Sequence, residues 1–201
     1  MSFLKFTIRC GPIFILVALI AALGYHLGEY IPSEWWLLPA AGALVLLITL
    51  QIFKLVPRLN FILLLGLALS AGALLNWFDL GDGNWFPWIV LSLGLISSLA
   101  WGYLLGIRLG WISSLFFPLT IVYLLVWFLI YLVPGLAAWM LAWAIIGMFL
   151  FVGQAIHIVT EARYSKTEEV PVPLVSDLFI TYFNLFWIGA VIDGLMRNNF
   201  G

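Results

Sequence analysis

The sequence predicts an all-α fold, a polytopic membrane protein built as a seven-transmembrane-helix bundle. Of the 201 residues, 65% are hydrophobic and only 8% are charged, whereas a soluble domain carries roughly 25% charged residues. The apolar residues form long runs, and a spanning helix needs roughly 20 of them. Short segments rich in Gly, Pro and charge separate these runs, so residues 1–201 are expected to form a single transmembrane domain.

Seven apolar runs define the predicted spans. The first follows Lys5 and Arg9, as the apolar part of a signal peptide follows a basic start. More apolar runs come after it rather than a cleavage site and a polar chain, so we expect a retained helix. Prolines and tryptophans mark the edges of most later runs. The spans are about 11–30, 35–53, 59–78, 86–106, 111–132, 136–160 and 174–196.

Individual spans carry further signals. Pro39 and Pro118 fall inside spans two and five, where neighbouring helices can accommodate a kink. Two spans present small residues on one face, which favours close helix packing. In span three these are Gly66, Ala68, Ser70 and Gly72, and in span four Gly94, Ser97 and Ser98.

Charge predicts the orientation of the chain. Seven of the eight basic residues fall before span one or in the loops after spans two, four and six. Acidic residues follow spans one and three. The positive-inside rule places the basic side, with the N-terminus, in the cytoplasm. An odd number of spans puts the C-terminus outside unless the last helix, which could be central, is only partial.

Composition excludes several functions. Without clustered Lys and Arg we expect no nucleic-acid partner. A single cysteine, Cys10, excludes thiol oxidoreductases that need Cys pairs, and His26 and His157 are too few for a three-histidine zinc site. No lysine lies inside an apolar run to hold retinal. We find no nucleophile–base pair and no nucleotide loop, so we expect no enzyme activity, no cofactor and no metal.

Polar residues inside the last two spans are the candidate site, because a polar group in hydrocarbon is costly unless it is paired or wet. The polar residues of each of these two spans are spaced so that they lie on one face of the helix. Two consecutive helices would most easily turn such faces toward each other or toward a wet cavity. Span six carries Gln154, His157 and Glu161, and span seven carries Asp177, Thr181 and Asn184.

Plainer interpretations stay open. Glu161 and Asp177 could be charges at helix ends, with Ser176 capping span seven and Asp177 interacting with its dipole. His157 could be a buried packing residue. The sequence DLGDGN at 79–84 resembles part of a calcium loop but lacks its ligand spacing and final Glu, so a polar turn is the better interpretation.

Asn184 is expected to face protein rather than lipid.

Four stretches resemble the transmembrane BAX inhibitor motif family, which includes bacterial BAX-inhibitor-1-like and YccA-like proteins. The most specific is the last, with an acidic start, an aromatic residue and an Asn-Leu-Phe end. The stretches are LGYHLGEYIP at 23–32, NFILLLGLALSAGALLNWF at 60–78, AAWMLAWAIIGMFLF at 137–151 and DLFITYFNLF at 177–186.

This resemblance implies a compact seven-helix bundle closed by the last helix. In calcium-leak members of the family, two aspartates on helices six and seven share a proton and gate a pore. Here these positions correspond to Thr181 and to His157 or Gln154. A two-carboxylate latch is therefore absent, and we predict instead that His157 and Asp177 are coupled.

Two functions follow from this resemblance. The first is a pH-sensitive calcium or proton leak in a bacterial inner membrane, lined by helices six and seven. The alternative is a non-conducting protein that modulates a membrane protease or another membrane complex, as some YccA-like members do. The expected partners are the lipid bilayer, an ion and a membrane protein.

Overall fold

Seven α-helices make up most of the chain in a computed structural model. It describes residues 3–35, 37–53, 56–77, 86–106, 108–164 and 171–200, and these contain no strand. The all-α prediction is therefore confirmed. The helices are α1 (Phe3–Gly28), α2 (Leu37–Ile52), α3 (Pro57–Trp77), α4 (Phe86–Ser97), α5 (Phe116–Leu132), α6 (Met140–Tyr164) and α7 (Pro171–Phe200).

Short helical segments of other types adjoin these helices. Three 3₁₀ turns, Ser33–Trp35, Gly110–Leu115 and Pro134–Trp139, precede α2, α5 and α6. A π-helical segment, Ser98–Leu104, continues α4 without a break. A π segment of this length is unusual, since π-helices mostly occur as single turns.

Five of the helical segments in the described residues are long and apolar enough to cross a membrane. Shorter apolar helices occur at Leu37–Leu50 and Pro118–Ile130. This composition fits an integral membrane protein. The five segments are Ile8–Gly28, Arg58–Asn76, Phe86–Leu104, Met140–Tyr164 and Val172–Arg197.

Two prolines, Pro39 and Pro118, lie closer to the starts of their helices than the predicted spans suggested. Pro39 and Pro118 lie in the first turns of α2 and α5, where a missing N–H leaves no hydrogen bond unmade. Both prolines thus lie inside helices, but no kink needs to be accommodated, because α2 and α5 begin later than the predicted spans do. Pro12 is instead internal to α1, which begins at Phe3.

The chain divides into two compact units. The first contains Met1–Asp82 and Ser165–Phe179, and the second contains Gly83–Tyr164 and Ile180–Gly201. The start of α7 therefore belongs to the first unit and the rest of it to the second. The single domain over residues 1–201 stays a prediction.

Close backbone contact joins α1 and α3 in the first unit. A Cβ atom added at Gly24 would collide with the carbonyl oxygen of Leu69, and one added at Gly72 would collide with that of Ala21. Gly66, six residues earlier on α3, lies against the Leu46 side chain of α2 at an ordinary van der Waals distance. Close packing is confirmed at Gly72, but the predicted small residues do not form a single face, since Gly66 and Gly72 contact different helices.

In the second unit, α4 and its π segment contact both α7 and α6. Gly94 lies under Leu185 of α7, and a Cβ atom there would stand 2.5 Å from that side chain. Gly102 of the π segment lies beside α6, where an added Cβ atom would stand 2.7 Å from the carbonyl oxygen of Ile156. The predicted close packing of span four is thus also confirmed.

Candidate functional site: polar residues of α6 and α7

The last helix is the most buried of the five long apolar helices. Within its apolar window, 78% of the residues are buried, against 17–39% for the other four. A helix buried in protein does not need an apolar surface for lipid, so it can carry polar side chains. The buried polar residues of α7 are Ser176, Thr181, Asn184 and Asp193.

Thr181 and Asn184 lie one turn apart in the second unit. Both are buried, so the expectation that Asn184 faces protein is confirmed. Its amide nitrogen donates a 2.7 Å hydrogen bond to the carbonyl oxygen of Ile180, one turn earlier in the same helix. The amide is therefore satisfied locally.

Gln154 and His157 are half-buried on α6, and the contacts described for them lead to α5. The Thr120 hydroxyl lies 2.8 Å from the carbonyl oxygen of Phe116 and 3.3 Å from Gln154 Oε1, and its hydrogen can be donated to either. The His157 ring lies over the Phe116 ring, with the centroids 5.8 Å apart. That α6 and α7 turn their polar faces toward each other stays a prediction.

The two carboxylates of the predicted site differ in exposure. Glu161 is exposed near the end of α6, whereas Asp177 is half-buried. Asp177 belongs to the first unit and His157 to the second, and their coupling stays a prediction. The proposed calcium-loop-like turn at 79–84 lies outside the described residues.

Ser176 does not cap α7. The helix begins at Pro171, so Ser176 stands in its second turn, where the amide groups already have helical partners. Its hydroxyl lies 2.9 Å from both the Val172 carbonyl oxygen and Asn60 Oδ1. Asn60 in turn donates to the Leu50 carbonyl oxygen at 3.3 Å. Ser176 thus belongs to a buried hydrogen-bonded cluster of the first unit, which the sequence did not predict.

A buried pair of hydroxyl groups joins the start of the π segment to α7. The hydroxyl groups of Ser98 and Tyr182 lie 2.7 Å apart, and Ser98 Oγ donates to the Leu95 carbonyl oxygen at 2.8 Å. Because Ser98 has one hydroxyl hydrogen, Tyr182 is then the donor between them. The small-residue pattern predicted packing at Ser98, but not this bond.

The π segment ends against polar groups of α6. Thr160 lies 3.3 Å from the Gly102 carbonyl oxygen, and Arg163 donates to the carbonyl oxygens of Tyr103 and Leu104. A π segment leaves carbonyl groups outside the usual i to i+4 ladder, and these two side chains satisfy them. Sequence patterns could not show this, since π segments carry no reliable periodicity.

Asp193 is an ionisable residue of α7 that the sequence analysis passed over. It is buried, and its Oδ2 lies 2.8 Å from Nε of Arg197, one turn later. The N–H does not point at this oxygen, so the contact is an ion pair rather than a hydrogen bond. The i, i+4 spacing with Arg197 was the available signal.

Neither a protein-family model nor any curated protein matches this chain.

Proposed function

We propose that this chain is a non-enzymatic integral membrane protein that lets a proton or calcium ion cross the membrane along polar side chains of the second unit. The observation that carries the proposal is the burial of Thr181 and Asn184 in the most buried apolar helix. A polar side chain inside a membrane helix is costly unless it is paired or faces water, so these two residues are candidates for lining a wet path.

The other members of the path would come from α6. Gln154 and His157 supply an amide and an imidazole within the same unit, and histidine is the side chain that changes charge near neutral pH. We therefore infer that His157 makes the flux sensitive to pH. The resemblance to the BAX inhibitor motif family supports the same region of the molecule.

Flux through reconstituted vesicles tests the proposal. Vesicles containing the purified chain and either a calcium indicator or a pH indicator should report a leak that empty vesicles lack. Thr181→Val keeps the side-chain shape but removes the hydroxyl, and it should reduce the leak. Thr49→Val is the matched control, because the Thr49 hydroxyl bonds only the Val45 carbonyl oxygen of its own helix and lies in the first unit. Equal flux in both variants would contradict the path.

A second function is favoured because the Asn184 amide makes its hydrogen bond within its own helix. Such local bonding is expected for a closed scaffold that binds another membrane protein. This scaffold would modulate a membrane protease or similar complex without conducting. Vesicles with no leak above the empty-vesicle rate, at every pH tested, would favour it over the first proposal.

We further propose a bacterial inner-membrane location with the N-terminus in the cytoplasm. The basic residues support this orientation, since seven of eight fall on one predicted side. Cysteines placed at positions 5 and 166 should be labelled from the same side of the membrane. Labelling from opposite sides would contradict the predicted number of spans.

A further inference from the structure

Two arginines flank one tyrosine ring where the π segment and α6 end. The guanidinium carbon of Arg108 lies 4.2 Å from the Tyr164 ring centroid, and that of Arg163 lies 5.4 Å from it. The two positive charges are therefore less than about 10 Å apart, which is about the Debye length in 0.1 M salt. An anion placed near both guanidinium groups is attracted by both charges.

The structure holds this pair in place. Arg163 is fixed by its bonds to the carbonyl groups of Tyr103 and Leu104. Gly106 has a φ of +65°, and a side chain there would meet both the Tyr164 hydroxyl and Arg163 Nη1. A glycine at this position lets the backbone approach both groups closely. Arg108 lies over the ring of the half-exposed Tyr164.

Arg108 differs from Arg163 in its partners. It is exposed, and its described contact is with the Tyr164 ring. Among the described residues, no ion pair joins Arg108 to a carboxylate. Glu161, the acidic residue nearest to Tyr164 along α6, is exposed and lies in no described ion pair. The guanidinium of Arg108 thus presents donors to its surroundings.

Exposed apolar residues lie close to Arg108 along the chain. Leu104 is 71% exposed, Leu105 64% and Trp111 76%. Large exposed apolar residues beside an exposed arginine are unfavourable in water, but they suit the level of lipid headgroups, where the indole and leucine side chains contact glycerol and acyl groups. The described residues 104–106 and 108–112, called here the arginine loop, therefore combine an exposed positive charge with exposed apolar side chains.

We propose that the arginine loop binds the phosphate of an anionic glycerophospholipid, with Arg108 as the principal ligand and Tyr164 as its positioning residue. Arginine suits this role because its planar group donates two parallel hydrogen bonds to phosphate. The adjacent positive charge of Arg163 favours an anionic lipid over a zwitterionic one. The site rests on the membrane location and not on ion flux.

Native mass spectrometry of the full chain in detergent tests this site, with phosphatidylglycerol and phosphatidylcholine as probes. We expect tighter binding of phosphatidylglycerol. Arg108→Gln should weaken it about tenfold, as for loss of one charge-assisted hydrogen bond. Arg58→Gln is the matched control, since Arg58 is also exposed and lies on the same predicted side. Equal losses in the two variants, or no preference between the lipids, would overturn the proposal.

Three further arms separate the alternatives. Tyr164→Phe should bind as the unchanged chain does, whereas Tyr164→Leu should weaken binding, because only the ring positions Arg108. Millimolar inorganic phosphate should not displace the lipid, and displacement would show a site for free phosphate instead. The double variant Glu168→Gln, Glu169→Gln should bind phosphatidylglycerol as the unchanged chain does. A marked increase in binding would show that the chain's own carboxylates are the partners of Arg108, and the lipid proposal would fail. Circular dichroism of each variant checks that it is folded.

Discussion

The helices within the first unit and those within the second unit are held by different kinds of contact. In the first unit, Gly24 and Gly72 bring the backbones of α1 and α3 together, so that no side chain separates them. In the second unit, Gly102 also approaches a backbone carbonyl oxygen, that of Ile156, but less closely, and larger side chains contribute as well, such as Tyr123 stacked on Trp143 at 5.5 Å between centroids. Backbone contact admits little adjustment, whereas side chains can change rotamer, so the first unit is better suited to be a scaffold.

Polar groups show the same contrast. The first unit keeps a single described cluster of Asn60 and Ser176, whose hydrogen bonds close on the chain itself. The second unit contains the π segment, the Ser98–Tyr182 pair and the half-buried Gln154 and His157. Irregular backbone and polar side chains inside apolar helices are typical of functional regions. This is why the proposed path is confined to the second unit.

The largest effect is expected at Gly72. Gly72→Ala places a methyl group on the Ala21 carbonyl oxygen, and the helices must separate to accommodate it. The free energy of unfolding should fall by about 3 kcal/mol, the upper part of the range for overpacking. Unfolding in a denaturing detergent would measure this.

Gly11→Ala is the control for this substitution. No atom lies within 4 Å of a Cβ added at Gly11, which is also in α1. Its stability should stay within about 1 kcal/mol of the original, since only helix propensity changes. If Gly72→Ala were no worse than Gly11→Ala, the contrast between the units would lose its basis.

A smaller effect is expected at Gly102 in the second unit. A Cβ atom there would stand 2.7 Å from the Ile156 carbonyl oxygen and 3.2 Å from Val159 Cβ. We expect Gly102→Ala to lower the free energy of unfolding by about 2 kcal/mol. Gly135→Ala, where an added Cβ atom meets nothing within 4 Å, is the control. A loss equal to that of Gly72→Ala would mean that both units are held equally tightly.

The helices were predictable from the sequence because apolar runs end where Pro, Gly and charges begin. The ends were less predictable, as α1 shows. It begins at Phe3, well before the predicted start at residue 11, because the polar residues of the first turns did not prevent helix formation. The π segment was not predicted, since no proline or charge separates its seven residues from the α-helix before them.

The candidate site was predicted only as helical faces. The spacing of Gln154 and His157 placed them on one face of α6, but spacing does not reveal which helix lies opposite. The structure gives α5 as one neighbour, through Thr120 and Phe116. Asp193 was not predicted because it lies between Gly189 and Gly194, near the uncertain end of the last predicted span.

A modest effect is expected at the Ser98–Tyr182 pair. Tyr182→Phe removes the donor but leaves Ser98 bonded to the Leu95 carbonyl oxygen. Hydrogen bonds between membrane helices average about 0.6 kcal/mol, and we expect a coupling energy of that size. A double-mutant cycle with Ser98→Ala measures it, and zero coupling would remove this bond from the description of the second unit.

The smallest effect on stability, and a large one on flux, is expected at Asn184. The Ile180 carbonyl oxygen, which accepts the Asn184 amide at 2.7 Å, is also the normal acceptor of the backbone N–H of residue 184 in an α-helix. Asn184→Leu therefore leaves no acceptor unsatisfied and removes a buried polar group, so the free energy of unfolding should change by less than about 0.5 kcal/mol. If Asn184 lines the proposed path, the same substitution reduces the leak from reconstituted vesicles. Asn60→Leu reverses this pattern: it deprives Ser176 of one partner and the Leu50 carbonyl of its donor in the first unit, so it should lower stability and leave the flux per folded protein unchanged. A stable Asn184→Leu protein with undiminished flux would remove Asn184 from the path, and a loss of flux in Asn60→Leu would show that the first unit is not merely a scaffold.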